Sequence, residues 1–552
     1  MSAACAAALW LAAAAAGGTG PVASENARAG TPGWQLPAAS AGAIEGYTSQ
    51  LSALRGEAIS FHVSTQPAQG YRILVYRLGW YAGVGARLVA CLPACSGAQE
   101  LGAPQPTPAP DPSTGEVIAR WPVTDTLTID PAWTSGYYLA QLVLTTGPEL
   151  GRCYPVFFVV REAPGRAAEY LVQVPVNTWE AYNGWGGKSL YRFNSTQGVP
   201  ANRVSFDRPF AWGGFGQPAP FTWEIQLVRF LEREGYDVGY QTDVDTDAAP
   251  QSLVLHRAVI AAGHGEYWTK GMRDAFDAAR DVGTNLAFMG ANTGYWQVRY
   301  EDGDRTIVGY KSLADPYPDP ALRTALFRDL GRPECELLGV EHLSGMGHAD
   351  YSVNPAAAGD PWFAGTGLTG GSVLPYLVGS EFDAIPTFMP APCAKPGLVD
   401  LLQYRGPLGN ADAVRYTAPS GARVFASGSA QFSWGLDGFG TSGRGAPPPD
   451  ARLQQLVRNL LADLGRPAPP AGVALVPRGG GAVLVRATGP LDPRVRERIY
   501  RLRPGGTPLQ VCSASPCLDR PGAGNRVSYA AVAVDSWGSS SAAVSPSLRV
   551  PR

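Results

Sequence analysis

Between residues 44 and 160 apolar and polar positions alternate with a period of two: Ile59, Phe61 and Val63 fall on one side, and Tyr71, Ile73 and Val75 repeat the pattern. Residues 137–144 and 154–160 are rich in β-branched and aromatic types, and turn residues separate these runs. Such alternation without an amphipathic helix predicts an all-β sandwich, bounded at residues 41–163. After the linker REAPGR the period changes. An apolar strand at 170–176 precedes a helix at 223–234, whose Leu227, Val228 and Leu231 share one face and whose Gly235 supplies the cap. Strands follow at 236–241, 258–262 and 285–289, with a helix from Thr269 to Asp281 before the last of them. This succession predicts an α/β domain over residues 167–466, built on a parallel, doubly wound sheet with helices on both faces. A loop-rich stretch intervenes before closing strands at 413–416 and 422–427 and a helix at 452–464 striped by Leu453, Leu456, Val457, Leu460 and Leu464. Pro467, Pro469 and Pro470 then stiffen a linker to a third, small β-sandwich over residues 471–552.

Composition narrows the functions open to this three-domain chain. Of its 552 residues, 44 are Lys or Arg and 46 are Asp or Glu, a net charge of −2, so it has no basic field with which to neutralise a phosphate backbone, and nucleic-acid binding is not expected. The apolar run at residues 3–16 is shorter than the roughly 20 residues a membrane-spanning helix needs. It fits a signal-peptide core, although no Lys or Arg precedes it, and residues 1–30 are read as signal and leader of an exported protein with no other membrane segment. Removal of the leader leaves seven cysteines. Cys91 with Cys95, and Cys512 with Cys517, are spaced to close small loops, Cys335 with Cys393 to close a long one, and Cys153 is left free. Zinc is the weaker reading of the close pairs, because no His lies near either.

Several familiar motifs fail their structural tests. Gly438 to Gly443 spells GxGxxG but is followed by prolines and not by a helix. Asp243, Asp245 and Asp247 alternate like a calcium loop, yet Ala248 and Val254 stand where Gly and Glu are required, so a solvated strand end is expected there. What remains is a convergence of strand ends. The strand at 258–262 runs into Gly263-His264-Gly265-Glu266, the next delivers Asn292, and the first leads toward Tyr182 and Tyr191. In open parallel sheets ligands bind outside the carboxyl ends of the strands, so these five polar groups should share a pocket. Taken singly, each is more often a satisfied core or turn residue.

The strings YRLGWYAGVGARLV, NTWEAYNGWGGKSLYRFNS, FDRPF, GHGEYWTKGMRDA, NLAFMGANTGYWQVR and FASGSAQFSWGLDG resemble the large-subunit family of N,N-dimethylformamidase over residues 44–465. YAAVAVDSWGSSS near the C-terminus resembles one strand and turn of a fibronectin type III module. The first resemblance implies a β-sandwich followed by a glutamine-amidotransferase-like α/β domain. It also implies a mononuclear ferric ion held by two tyrosinates and one glutamate, which carry over to Tyr182, Tyr191 and Glu266, with zinc as the runner-up metal. His264, Asn292 and Glu381 correspond to the residues around the metal, Glu381 as general base and the other two as donors to a developing oxyanion. Hard oxygen donors and open coordination positions suit such an ion. The expectation is hydrolysis of the C–N bond of a small amide substrate, with a homo-oligomer and a small partner subunit left open. A non-catalytic surface module binding glycan or cell wall is the alternative.

Overall fold

A computed structural model describes residues 20–212, 220–388, 393–467, 469–489, 495–503, 508–535, 539–540 and 542–551. The signal-like run at 3–16 lies outside them. In the first unit a three-stranded sheet (Ile44–Thr48, Ala58–Thr65, Asp125–Thr128) faces a larger one that includes Gly70–Leu78, Ala86–Leu92, Gly136–Leu144 and Cys153–Val160. The period-two residues Ile59, Phe61, Val63, Ile73 and Val75 all enter the core between them. Residues 20–30, grouped with the leader in the sequence reading, belong to this folded body. Helix Pro21–Asn26 buries Val22 and Glu25, and Glu25 accepts a hydrogen bond from the Tyr81 hydroxyl (2.8 Å) and pairs with Arg87 (2.6 Å).

The middle unit is built on nine strands. Val238–Thr242, Tyr170–Val174, Ala258–Ala262, Asn285–Met289 and Arg423–Ala426 lie side by side and parallel, in that order. Alternate residues of the same strands face opposite ways. Val172, Ile260 and Ala287 pack with helices Ile225–Arg233 and Ala451–Leu464, while Leu171, Val259 and Leu286 pack with helix Lys270–Asp281, so both faces are covered.

The sheet is mixed, where the sequence predicted a parallel one. Beyond Arg423–Ala426 it continues through Gly409–Thr417, Val399–Gly406, Glu341–Val353 and Val373–Ala384, all paired antiparallel. These strands lie largely within the stretch whose sequence predicts loop. Val399–Gly406 and Gly409–Thr417 are joined by a two-residue turn, which only antiparallel pairing allows, and glycine, serine and aspartate blur the alternation of these strands. The aspartates at 243–247 also differ from expectation. They open helix Asp243–Ala248, where Thr242 and Asp245 form a capping box and Asp243 is buried, accepting a hydrogen bond from the Asn177 backbone.

The last unit comprises small antiparallel sheets packed around Val483, Val485, Ile499, Tyr529 and Ala531, and Asp535 pairs with Arg257 of the middle unit. Disulfides join Cys91 to Cys95, Cys335 to Cys393 and Cys512 to Cys517, and Cys153 is a buried free thiol. Among the described residues no helix is long and apolar enough to cross a membrane.

Candidate functional site

Two strand ends meet more closely than side chains would permit. A Cβ on Gly290 would lie 1.6 Å from the Gly263 carbonyl oxygen, and Gly263 itself has a φ of +59°. The two glycines therefore let strands Ala258–Ala262 and Asn285–Met289 splay into turns that carry His264, Glu266 and Asn292. Trp268 stacks on Phe276 of helix Lys270–Asp281 with ring centroids 4.5 Å apart, which pins the first turn to the domain. Tyr182 ends the short helix Val176–Tyr182, which Pro175 separates from the preceding strand; the sequence reading had extended that strand to residue 176. Tyr191 lies on the following loop, where its backbone N–H donates to Ser189 Oγ (3.0 Å). The loop is braced by buried Arg208 from the FDRPF string, which pairs with Glu180 and donates to the carbonyls of Asn183 and Lys188.

The structure brings all six sequence-predicted residues together. The Tyr182 hydroxyl donates to Glu266 Oε2 at 2.8 Å and the Tyr191 hydroxyl to Glu266 Oε1 at 2.5 Å. The two rings stand 4.2 Å apart, with Phe193 beside both. Glu266 is 2% exposed. His264 Nε2 lies 3.6 Å from Glu266 Oε2 and 2.9 Å from Glu381 Oε2, and Asn292 Nδ2 donates to that same Glu381 oxygen at 2.7 Å. The Trp223 ring meets the His264 ring edge to face at 5.4 Å.

Burial, reinforced by the charge of Glu266, raises both phenols well above the usual tyrosine range, so each proton stays on its oxygen while no cation is near. Burial also pushes the Glu381 carboxyl up, but the charges of His264 and His342 and the hydrogen bonds from His264 and Asn292 outweigh it and hold the group down to about 2. The same pairing raises His264 to about 9 against the opposing effect of burial.

Four further residues, missed in the sequence, complete the site. Asp383, two positions beyond Glu381 and so on the same side of the strand, accepts the Asn292 backbone N–H on both carboxylate oxygens (2.9 and 3.0 Å) and lies 3.5 Å from His342. This holds Asn292 in the left-handed region at φ 52°. Tyr267, next to Glu266, is fully buried. Lys311 places its ammonium 3.4 Å from the centroid of the Tyr191 ring. The SEFD and GEYW strings contained signals for Asp383 and Tyr267; nothing in the sequence around Lys311 or His342 marks either.

The donor set suits a hard cation: two phenol oxygens converge on the carboxylate of buried Glu266. His264, Glu266 and Glu381 also have donor atoms within 4.8 Å of one another, so candidate metal-binding groups are present on both sides of Glu266. A comparison with curated proteins finds no match. Residues 72–446, the span that carries every group of this site, match the family described as N,N-dimethylformamidase beta subunit-like, C-terminal, and the chain accordingly belongs to that family of hydrolases related to dimethylformamidase.

Proposed function

We propose that the chain is an exported amide hydrolase in which Tyr182, Tyr191 and Glu266 hold a single ferric ion and Glu381 moves the proton that breaks a C–N bond of a small amide. The observation that carries this reading is the pair of phenol hydroxyls directed at the two oxygens of one buried carboxylate, beside a His–Glu pair. Bound there, the ion supplies Lewis acidity toward a carbonyl and acidifies water enough to suit so weak a base. In the first step Glu381, held ionised, takes a proton from the attacking water. It then gives that proton to the departing amine, a far stronger acceptor, so its low basicity favours delivery over retention. His264 and Asn292 were expected to donate to an oxyanion, but here both are directed at Glu381 Oε2, which supports a role in aiming the carboxylate instead. The middle unit is read as glutamine-amidotransferase-like and the last as fibronectin type III-like. The three disulfides support export.

Metal analysis with a visible spectrum tests the centre. About one iron per chain and a tyrosinate-to-ferric band are expected, and Tyr182→Phe, which keeps the ring and removes the oxygen, should lose both with little loss of fold. Full iron and an unchanged band in that variant would reject Tyr182 as a ligand. Protein that binds no metal and releases no amine from simple formamides and acetamides would favour a surface-binding role.

A further inference from the structure

Lys311 occupies an environment that is costly unless its charge is used. Its ammonium lies over three aromatic rings, at 3.4 Å from the centroid of Tyr191, 5.0 Å from Tyr267 and 5.4 Å from Trp296. Among the described residues no carboxylate lies within ion-pair distance of it, and it makes no hydrogen bond. Its backbone sits at φ 55°, a left-handed conformation unfavourable for a residue with a Cβ. Lys311 is only half-buried, yet holding a charged side chain against aromatic rings on a strained backbone is unfavourable, and simple packing could be achieved by a leucine or methionine.

We propose that Lys311 is a positioning residue that acts through Tyr191: its positive charge on the ring face withdraws electron density from the phenolate oxygen and so sets how strongly that oxygen donates to the bound metal. This rests on the ferric reading of the site. The physical basis is direct. A cation on a π face is attracted to the ring's electrons, and outer groups of this kind tune a ligand's basicity and the acidity of the metal it holds. The face of Tyr191 that Lys311 covers belongs to a ring whose hydroxyl points at Glu266, so the charge acts on the ligand without competing for the metal.

The consequences run opposite to those of structural damage. Without the charge, Tyr191 becomes the stronger donor and the site less positive. Lys311→Met should therefore move the tyrosinate-to-ferric band to longer wavelength and slow iron release to a chelator several-fold, while turnover falls because the more strongly donated metal is a weaker Lewis acid. Lys311→Arg, which keeps the charge on the ring face, should hold the band near its original position. Coloured wild-type protein with an unshifted band in Lys311→Met, or one that loses iron faster, would overturn the proposal and leave the ferric site standing. Colourless, iron-free wild-type protein would overturn the ferric reading and this inference with it.

Discussion

His264 Nε2 stands 2.9 Å from Glu381 Oε2, a contact that links the parallel half of the central sheet to its antiparallel half. His264 follows strand Ala258–Ala262, whereas Glu381 is carried by Val373–Ala384 at the far edge. The pair separates two tasks within a few ångströms. Glu266, in contact with both phenols, is placed to hold a cation, and Glu381, held by a histidine and an amide, is placed to handle a proton.

Two conservative variants should therefore have opposite signatures. Glu381→Gln preserves shape and leaves the three oxygen ligands untouched but cannot take a proton, so iron should stay while amine release falls by about 10²- to 10⁴-fold. Glu266→Gln replaces an anionic ligand with a neutral amide and should lose iron. Metal content and a single amine-release assay check both, and undiminished turnover in Glu381→Gln would end its assignment as the base.

The metal-free protein should show the His264–Glu381 pair in its pH dependence. Glu381 is lowered from 4.5 to about 2, so its contribution is present above 4.5 and is lost as pH falls toward 2. His264 is raised from 6.5 to about 9, so its contribution is present below 6.5 and is lost as pH rises through 9. Both describe one interaction, counted once, and at about 1.4 kcal/mol per pKa unit it is worth a few kcal/mol. The melting temperature of the apo protein should decline from 6.5 to about 9, and that decline should flatten in Glu381→Gln, where the histidine has lost its main partner. An equal slope in both proteins would show that the titration belongs elsewhere.

Although the apolar runs at 170–176, 236–241 and 422–427 miss the observed strand ends by one or two residues, the central parallel strands at 258–262 and 285–289 lie where the runs place them. They are buried on both faces, so no polar alternation interrupts them. Of the antiparallel half only the strand at 413–416 is legible; the rest reads as loop because its strands carry strings such as GSEFDA, in which residues serving the site replace the apolar face. For that reason Glu381 came from family resemblance and Asp383 was overlooked. Lys311 has no local signature at all, since its meaning depends on Tyr191, 120 positions earlier in the chain.

Loop length should rank the disulfides. Cys335–Cys393 spans 58 residues and Cys91–Cys95 only 4. In the chain-entropy account the long bridge is worth about 4 kcal/mol and the short one about 2. Paired serine replacements should therefore lower the melting temperature more at 335 and 393. Burial pushes the Cys153 thiol up to about 11, so it should resist alkylation in the folded protein and react once unfolded. Equal losses from the two serine pairs would show that native-state strain, not loop closure, governs these bridges.

The sharpest geometric demand falls on Gly290. A methyl group there would overlap the Gly263 carbonyl at 1.6 Å, and because Met289 pairs with Ala262 in the parallel ladder, neither strand can withdraw without breaking its hydrogen bonds. Gly265, two residues further along the same turn, has its nearest neighbour, Trp268 Nε1, at 3.4 Å, an ordinary contact. Gly290→Ala should exceed the roughly 1–3 kcal/mol typical of overpacking, and because it moves the turns carrying Glu266 and Asn292 it should also release iron. Gly265→Ala should stay within about 1 kcal/mol of the parent and keep its metal. Denaturant unfolding and metal analysis of the two variants make the comparison. If both fold and load metal equally well, the close approach of the strand ends is not what holds the site, and the braced loop bearing Tyr191 would have to carry that role.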